Sequence, residues 1–253
     1  MIARSENEIK KLREAGGILA VILNDVAKKV VPGISTFELD QYAEEAILKS
    51  GSQPSFKGYR PWGVATAYPA SLCVSVNDTV VHGLPSQRRL KEGEIISLDL
   101  GLEWQGLFVD AALTVSVGIP LPEIKRFLEI TKHSLDIGVE KARVGNHIGD
   151  IGAAIADYAE KAGYSIIREL VGHGVGEAVH EPPQIPNFGR PGSGPLILEG
   201  MVLAIEPMVS LGKFDVILAD DGWSWKTKDG SLAAHFEHTI LVTKEGPEIL
   251  TKI

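Results

Sequence analysis

The chain has 253 residues, 44% of them hydrophobic, enough to bury a sizeable core in one large domain or two small ones. A formal net charge of −8 speaks against a nucleic-acid or anionic-membrane binder, which usually carries a basic face. The single cysteine, Cys73, excludes an intramolecular disulfide and suits a reducing compartment.

The opening stretch MIARSENEIKKLREAGG is charged and has no apolar core, so it does not read as a signal peptide. The run ILAVIL that follows is far too short to span a bilayer. The expectation is a cytoplasmic protein. Residues 5–30 predict an amphipathic helix, with Ile9, Leu12, Leu19, Ile22, Leu23 and Val26 at helical spacing. Ser35 and Glu38 form a capping box for a second helix to about Lys49, with Gly51 as its stop. Residues 51–70, rich in Gly, Pro, Ser and Tyr, predict a loop. Strands follow at 71–76, 94–100 and 107–118, then helices near 122–142 and 148–162. The segments IREL, MVLAIEPMVS, DVILA and HTILVT predict further short strands between Gly- and Pro-rich loops. Helix-helix-strands thus occurs twice, and no composition shift marks a linker. The expectation is one α+β domain over 1–253, in two similar halves, with helices over one face of a mostly antiparallel sheet.

Residues 97–110 read SLDLGLEWQGLFVD, an apolar run that carries Asp99 and Asp110. A hairpin turning at Trp104-Gln105 would pair Glu103 with Gly106 and set the two aspartates directly opposite each other. Two buried like charges need a shared proton, a cationic side chain or a metal. Alternatively, one aspartate is solvated at a strand end and the other caps a turn.

Three further stretches bear on this choice. Residues 172–181, GHGVGEAVHE, hold His173 and His180 in a Gly-rich segment before Pro182-Pro183. A histidine interrupts the glycines and no helix follows, so this is not a dinucleotide loop. Two prolines after His180-Glu181 rule out a helical HExxH site. Glu206 ends the apolar run MVLAI, and Glu237 opens the run HTILV. Each alone would read as an ordinary strand-end residue. As a set, four carboxylates and an imidazole suit hard or borderline divalent ions rather than a structural zinc site. Two such ions would balance the four carboxylates.

The set resembles the ligands of methionine aminopeptidases, most closely the type I, bacterial kind. The resemblance rests on Asp99, Asp110, His173 in GHGVGEAVHEPP, Glu206 in IEPM and Glu237 in EHT. It is supported by Val76-Asn77, His82-Gly83-Leu84-Pro85, Pro186-Asn187-Phe188-Gly189, Asp221-Gly222-Trp223 and Lys226-Thr227-Lys228-Asp229, and spans essentially the whole chain.

That family implies the pita-bread fold, with two pseudo-symmetric halves over a curved sheet. It implies removal of the N-terminal initiator methionine from nascent chains with a small second residue. Two divalent ions (Co, Mn, Fe or Zn) would be held by Asp99, Asp110, His173, Glu206 and Glu237, with Asp110 and Glu237 bridging. A metal-bridging hydroxide would attack the scissile carbonyl. Glu206 would carry the proton to the leaving amine. His180 would bond the substrate carbonyl, and His82 the amide on the leaving side. Tyr68, Cys73 and Trp223 would line the methionine pocket, where sulfur and aromatic neighbours suit a thioether. A monomer with transient ribosome contact is the expectation for partners.

The chain departs from the family at Ala111-Ala112, usually Thr-Ser, at Val179, often aromatic, and in the loop PWGVAT at 61–66. These changes concern pocket shape, not ligands. No long insertion of the type II kind interrupts the second half. Two competing readings keep the fold: a proline-specific peptidase, or a non-catalytic peptide- or nucleic-acid-binding module. His133 and His147 read as surface residues, and His235 and His238, flanking Glu237, as supports rather than ligands.

Overall fold

The computed structural model describes residues 1–61, 64 and 66–252. Two helices open the chain, α1 (Glu6–Ala27) and α2 (Thr36–Lys49). Each begins with a complete capping box, Ser5 with Glu8 and Ser35 with Glu38, which satisfies two otherwise unpaired amides reciprocally. Five strands follow: β1 (Gln53–Pro54), β2 (Leu72–Val76), β3 (Thr79–Val81), β4 (Ile95–Trp104) and β5 (Leu107–Ser116). The second half repeats the pattern with α3 (Pro122–Lys141) and α4 (Ile148–Lys161). Its strands are β6 (Ser165–Ile166), β7 (Val171–Gly174), β8 (Glu181–Pro186), β9 (Val202–Ile205), β10 (Met208–Ser210), β11 (Val216–Leu218), β12 (Trp225–Thr227), β13 (Ala233–His235), β14 (His238–Val242) and β15 (Pro247–Ile249).

Strand pairing is antiparallel among the described residues. In the first half β4 joins β1, β2 and β5. In the second, the order is β15-β14-β9-β7-β8. Small sheets β13-β10-β6 and β11-β12-β3 complete the set. Each helix pair buries an apolar stripe on its own half. Leu12, Leu19, Leu23 and Leu39 pack on Leu98, Leu100 and Leu102. Phe127, Leu135, Ile151 and Ile155 pack on Leu203, Ile205 and Ile240. This is the expected α+β architecture with two similar halves.

Two expectations need correction. The segment Ile167–Leu170 is not a strand; pairing occurs on either side of it, in β6 and β7. Its apolar ends are buried or half-buried while Arg168 and Glu169 face solvent, a pattern that a short bend over the core produces as well as a strand. The hairpin register also differs. Trp104 pairs with Leu107 and Glu103 with Phe108, so the turn residues are Gln105 and Gly106. The reason is conformational: Gln105 has φ 51 and Gly106 φ 84, the two left-handed residues of a type I′ turn. Glycine adopts that conformation freely, so Gly106 belongs in the turn and not in the ladder.

Gln105 is then the strained member of the pair. Gln105→Asn should stabilise the protein by about 0.5–1 kcal/mol, because asparagine tolerates the left-handed region better. For a chain of this size that is about 1–4 °C in Tm. Gly106→Ala should lower Tm instead. Equal melting temperatures for the parent and both variants would contradict the turn.

Candidate metal centre

The two-residue shift in register moves Asp99 opposite Ala112 and Asp110 opposite Gly101. The aspartates are therefore diagonal neighbours and not a directly opposed pair. They still share one face, because positions two apart on a strand point the same way. Both are buried, at 8% and 4% exposure.

The glutamates come from a paired break in two neighbouring strands. β9 pairs with β14 as far as Ile205↔His238, and β10 pairs with β13 from Met208↔His235. The residues between, Glu206-Pro207 and Phe236-Glu237, are where both strands cross from one sheet to another. Pro207 has no amide to donate to a ladder, which favours the break. Both carboxylates emerge there. Asn187 holds Glu206 by donating from Nδ2 to its carbonyl at 2.9 Å, which accounts for the PNFG stretch.

Backbone bonds stitch the two halves together at these residues. Glu237 N–H donates to the Ala112 carbonyl at 2.9 Å. Asp110 N–H donates to Thr239 Oγ1 at 2.9 Å, and Thr239 Oγ1 donates to the Asp110 carbonyl at 2.7 Å. Ala112 thus contributes its backbone.

His173 lies in β7, with Nδ1 2.9 Å from the Gly174 carbonyl. Its Nε2 is 3.5 Å from Glu206 Oε1 and 3.9 Å from Asp110 Oδ2. Ligand atoms of Asp110, His173 and Glu237 all lie within 4.8 Å of one another. Asp99 and Glu206 stand outside that trio but line the same cavity.

A metal fits this arrangement. Asp99 Oδ1, Asp110 Oδ1 and Glu237 Oε1 are buried and have no hydrogen-bond partner among the described residues. Such orphaned oxygens are costly unless a cation satisfies them. The cost shows in the protonation equilibria without a metal. Burial pushes Asp99 up to about 6 and Glu206 up to about 8. Asp110 and Glu237 are held well above the usual carboxylate range, by burial first and then by the neighbouring carboxylates. A divalent ion reverses that logic by favouring the charged forms.

The other expected residues surround the ligands. Cys73 is the cross-strand partner of Asp99 and joins Phe56, Tyr68, Ala70, Val179 and Trp223 in an aromatic cluster. Tyr68 and Trp223 meet edge to face, 5.1 Å between centroids. Burial pushes the Cys73 thiol well up, so it is a neutral wall. Asp221 Oδ1 accepts from the amides of Trp223 and Ser224, which sets the indole's approach. Val179 belongs to this wall. Of the stretch 61–66, Trp62, Gly63 and Ala65 lie outside the described residues, while Pro61 lines the cavity.

His82, beyond β3, takes φ 57, a left-handed conformation that costs a non-glycine residue about 1–3 kcal/mol and is common at functional sites. His180 stacks edge-on to His173, 4.3 Å between centroids, and its Nδ1 is 2.6 Å from Tyr59 Oη. Burial holds His82 and His180 down at about 4 and His173 at about 3. All three are neutral at ordinary pH.

Sequence reasoning misses Tyr59 and gives His235 only a general supporting role. Tyr59 is one of several aromatics in a stretch that reads as loop. His235 is 1% exposed, with Nε2 3.3 Å from Glu206 Oε2. Thr114 fixes it at both backbone groups, accepting from its N–H and donating to its carbonyl. His133 is exposed beside Asp136, and His147 starts α4, as expected. His238 turns away from the cavity toward Thr251.

The comparisons with known proteins agree with this geometry. The model of metallopeptidase family M24 matches residues 10–244. A methionine aminopeptidase of Clostridium perfringens is 49% identical over 100% of this chain and 99% of its own length. Methionine aminopeptidase 1 of Bacillus subtilis is 46% identical, with both chains fully covered. The crystal structure of the Thermotoga maritima methionine aminopeptidase superposes with a TM-score of 0.94 at 44% identity, covering both chains fully. A Xaa-Pro dipeptidase from Bacillus anthracis shares the fold, with a TM-score of 0.75 at 24% identity and 62% of its chain covered. The chain belongs to metallopeptidase family M24, among its methionine aminopeptidases.

Proposed function

We propose that the chain, as one catalytic domain over residues 1–253, removes the N-terminal methionine from peptides and nascent proteins with a small second residue. The observation that carries this reading is a single cavity with two unlike ends. One end holds Asp99, Asp110, His173, Glu206 and Glu237; the other is the neutral Tyr68–Cys73–Trp223 wall. A thioether matches the second and a hydrolytic metal centre the first. Similarity to full-length methionine aminopeptidases supports the substrate, and extends the reading to a cytoplasmic monomer with transient ribosome contact.

Asp110 and Glu237 would be shared between two divalent ions, with Asp99 completing one and His173 and Glu206 the other. Mn, Fe, Co and Zn all suit this donor set. Bound, such ions polarise the scissile carbonyl and lower the pKa of the attacking water. Glu206, buried and braced by Asn187 and His235, takes up a proton and hands it to the leaving amine. For His180 to bond the substrate carbonyl, Tyr59 donates to its Nδ1 and the proton sits on Nε2. His82 contacts the leaving-side amide. The aromatic wall excludes water from the methionine side chain.

Chelator-stripped protein should hydrolyse Met-Ala-Ser only after Mn²⁺ or Co²⁺ is added, and should leave Ala-Pro intact. A folded sample that releases no methionine with any divalent ion would overturn the reading, and cleavage of Ala-Pro instead would transfer it to the proline-specific peptidases. Asp110→Asn should leave a folded protein with neither bound metal nor activity. His82→Ala should keep the metal, measured by elemental analysis, while turnover falls roughly 100-fold. Loss of metal in the histidine variant would move His82 from substrate to ligand.

The protonation pattern gives a further test. Glu206, with a usual value of 4.5, is raised to about 8, and Asp110 and Glu237 well above the usual range. Without metal, the folded state therefore keeps protons that the unfolded chain has released, so stability falls as pH rises toward 8. The desolvated histidines act oppositely: His82, His173, His180 and His238 are held at about 3 to 4 and His235 is lowered, so their contribution is half complete at the unfolded value of about 6.5 and finished by about pH 7.5. Metal-free protein should melt lower at about pH 8.5 than at about pH 7.5, and saturating Mn²⁺ should raise Tm more at the higher pH. A Tm gain independent of pH would contradict the protonated carboxylates.

A further inference from the structure

His180 stands on a segment that its backbone fixes mainly at one end: Val175 N–H donates to the Val202 carbonyl at 3.1 Å, the Gly176 carbonyl accepts from Phe108 N–H at 2.8 Å, and Gly176 N–H donates to the Ala178 carbonyl at 3.2 Å. Between β7 and β8 the chain runs Val175-Gly176-Glu177-Ala178-Val179-His180, and Gly176 has φ 136, a conformation open to glycine alone. Glu177 and Ala178 are exposed, and His180 keeps an open edge to solvent while the cavity walls desolvate its ring. Tyr59 steadies the imidazole ring, but something must steady the backbone beneath it.

The next residue does so. The Glu181 side chain, 16% exposed, folds back under the segment it follows. Its Oε1 accepts from the Ala178 N–H at 2.7 Å. Its Oε2 takes the α-ammonium of Met1, which also donates to the Val175 carbonyl at 3.3 Å. One carboxylate and one ammonium thus span the segment from Val175 to Ala178. Met1 is itself anchored. Its carbonyl accepts from Val202 N–H at 3.2 Å, Ile2 bridges Met201, and Ala3 N–H donates to the Gly200 carbonyl at 2.7 Å. Its side chain, 1% exposed, lies against Gly176, leaving no room there for a Cβ.

We propose that Glu181 is the positioning residue of His180, and that it acts by clamping residues 175–181 through the Ala178 N–H and the Met1 nitrogen. The inference rests on the role given above to His180. Glu181 does not line the cavity, so it acts through its neighbour. A carboxylate accepts at both oxygens, whereas a neutral amide in its place cannot hold both the Ala178 N–H and the Met1 nitrogen in the same way.

The test uses the metal-loaded full chain and four forms: parent, Glu181→Gln, His180→Ala and the double variant. A fifth, Glu181→Asp, keeps the charge but shortens the reach, and covers the case in which Glu181→Gln fails to fold. With Met-Ala-Ser as substrate, Glu181→Gln and Glu181→Asp should each lose roughly 10- to 100-fold in kcat with metal content unchanged. The double variant should be no slower than His180→Ala alone, since both changes disable one group. Amide exchange at 175–180 should rise in both clamp-breaking forms. A merely structural pair would lower Tm and leave kcat of the folded fraction at the parent value, which overturns the proposal. So would full and independent additivity with His180→Ala. Parent-like kcat in His180→Ala would instead remove the role assigned to His180, and the clamp's function with it.

Discussion

Four carboxylates share one buried space, and the rest of the structure follows from that constraint. Asp99, Asp110, Glu206 and Glu237 repel one another and have lost most of their hydration. A regular sheet would distribute them along its faces. Here a diagonal cross-strand pair supplies two, and a paired strand break supplies the others. The break removes the ladder for two residues in each strand, and in return turns both glutamates inward. Without cations the arrangement holds protons. With divalent ions the orphaned oxygens gain the partners that the protein withholds.

Such a centre needs a rigid frame, and the frame comes from both halves at once. Thr239 bonds both backbone groups of Asp110, and Glu237 bonds the backbone of Ala112. Asp110 and Ala112 belong to the first half, and Glu237 and Thr239 to the second. The centre lies on the seam where the two helix-covered sheets meet. Neither half carries all five of these residues, so a metal centre built on them would depend on the docking of one half against the other.

The elements legible in the sequence are those set by local chemistry. The capping box at Ser35 marks the second helix start because its partners are three residues apart, and apolar spacing marks the first helix. Carboxylates at apolar strand ends are legible because burial of charge demands a reason. The hairpin register misleads because Gln105 gives no sign of a left-handed residue; the glycine beside it does, and Gly106 rather than Trp104 locates the turn. Ile167–Leu170 misleads because four residues of mixed polarity fit a bend or a strand. Cys73 opposite Asp99, Tyr59 on His180 and Glu181 on Met1 are invisible for another reason. Each joins residues far apart in the chain, and no spacing rule reaches across such distances.

One medium sets both sides of the acid–base chemistry. Desolvation raises a carboxyl and lowers an imidazole, because in each case it opposes the charged form. The same low-polarity cavity therefore holds Glu206 near 8 and the three facing histidines near 3 to 4. Neutral histidines can bond a substrate carbonyl and amide without adding charge beside the metal site. Their ring nitrogens must then be assigned by neighbours, since a neutral imidazole has one donor and one acceptor. The Gly174 carbonyl assigns His173 by accepting from Nδ1, which leaves Nε2 as the free lone pair toward Asp110 and Glu206. The Tyr59 hydroxyl can donate or accept, so at His180 it holds the ring in place and lets either nitrogen carry the proton, and the difference between the two stacked rings lies in which oxygen each Nδ1 meets.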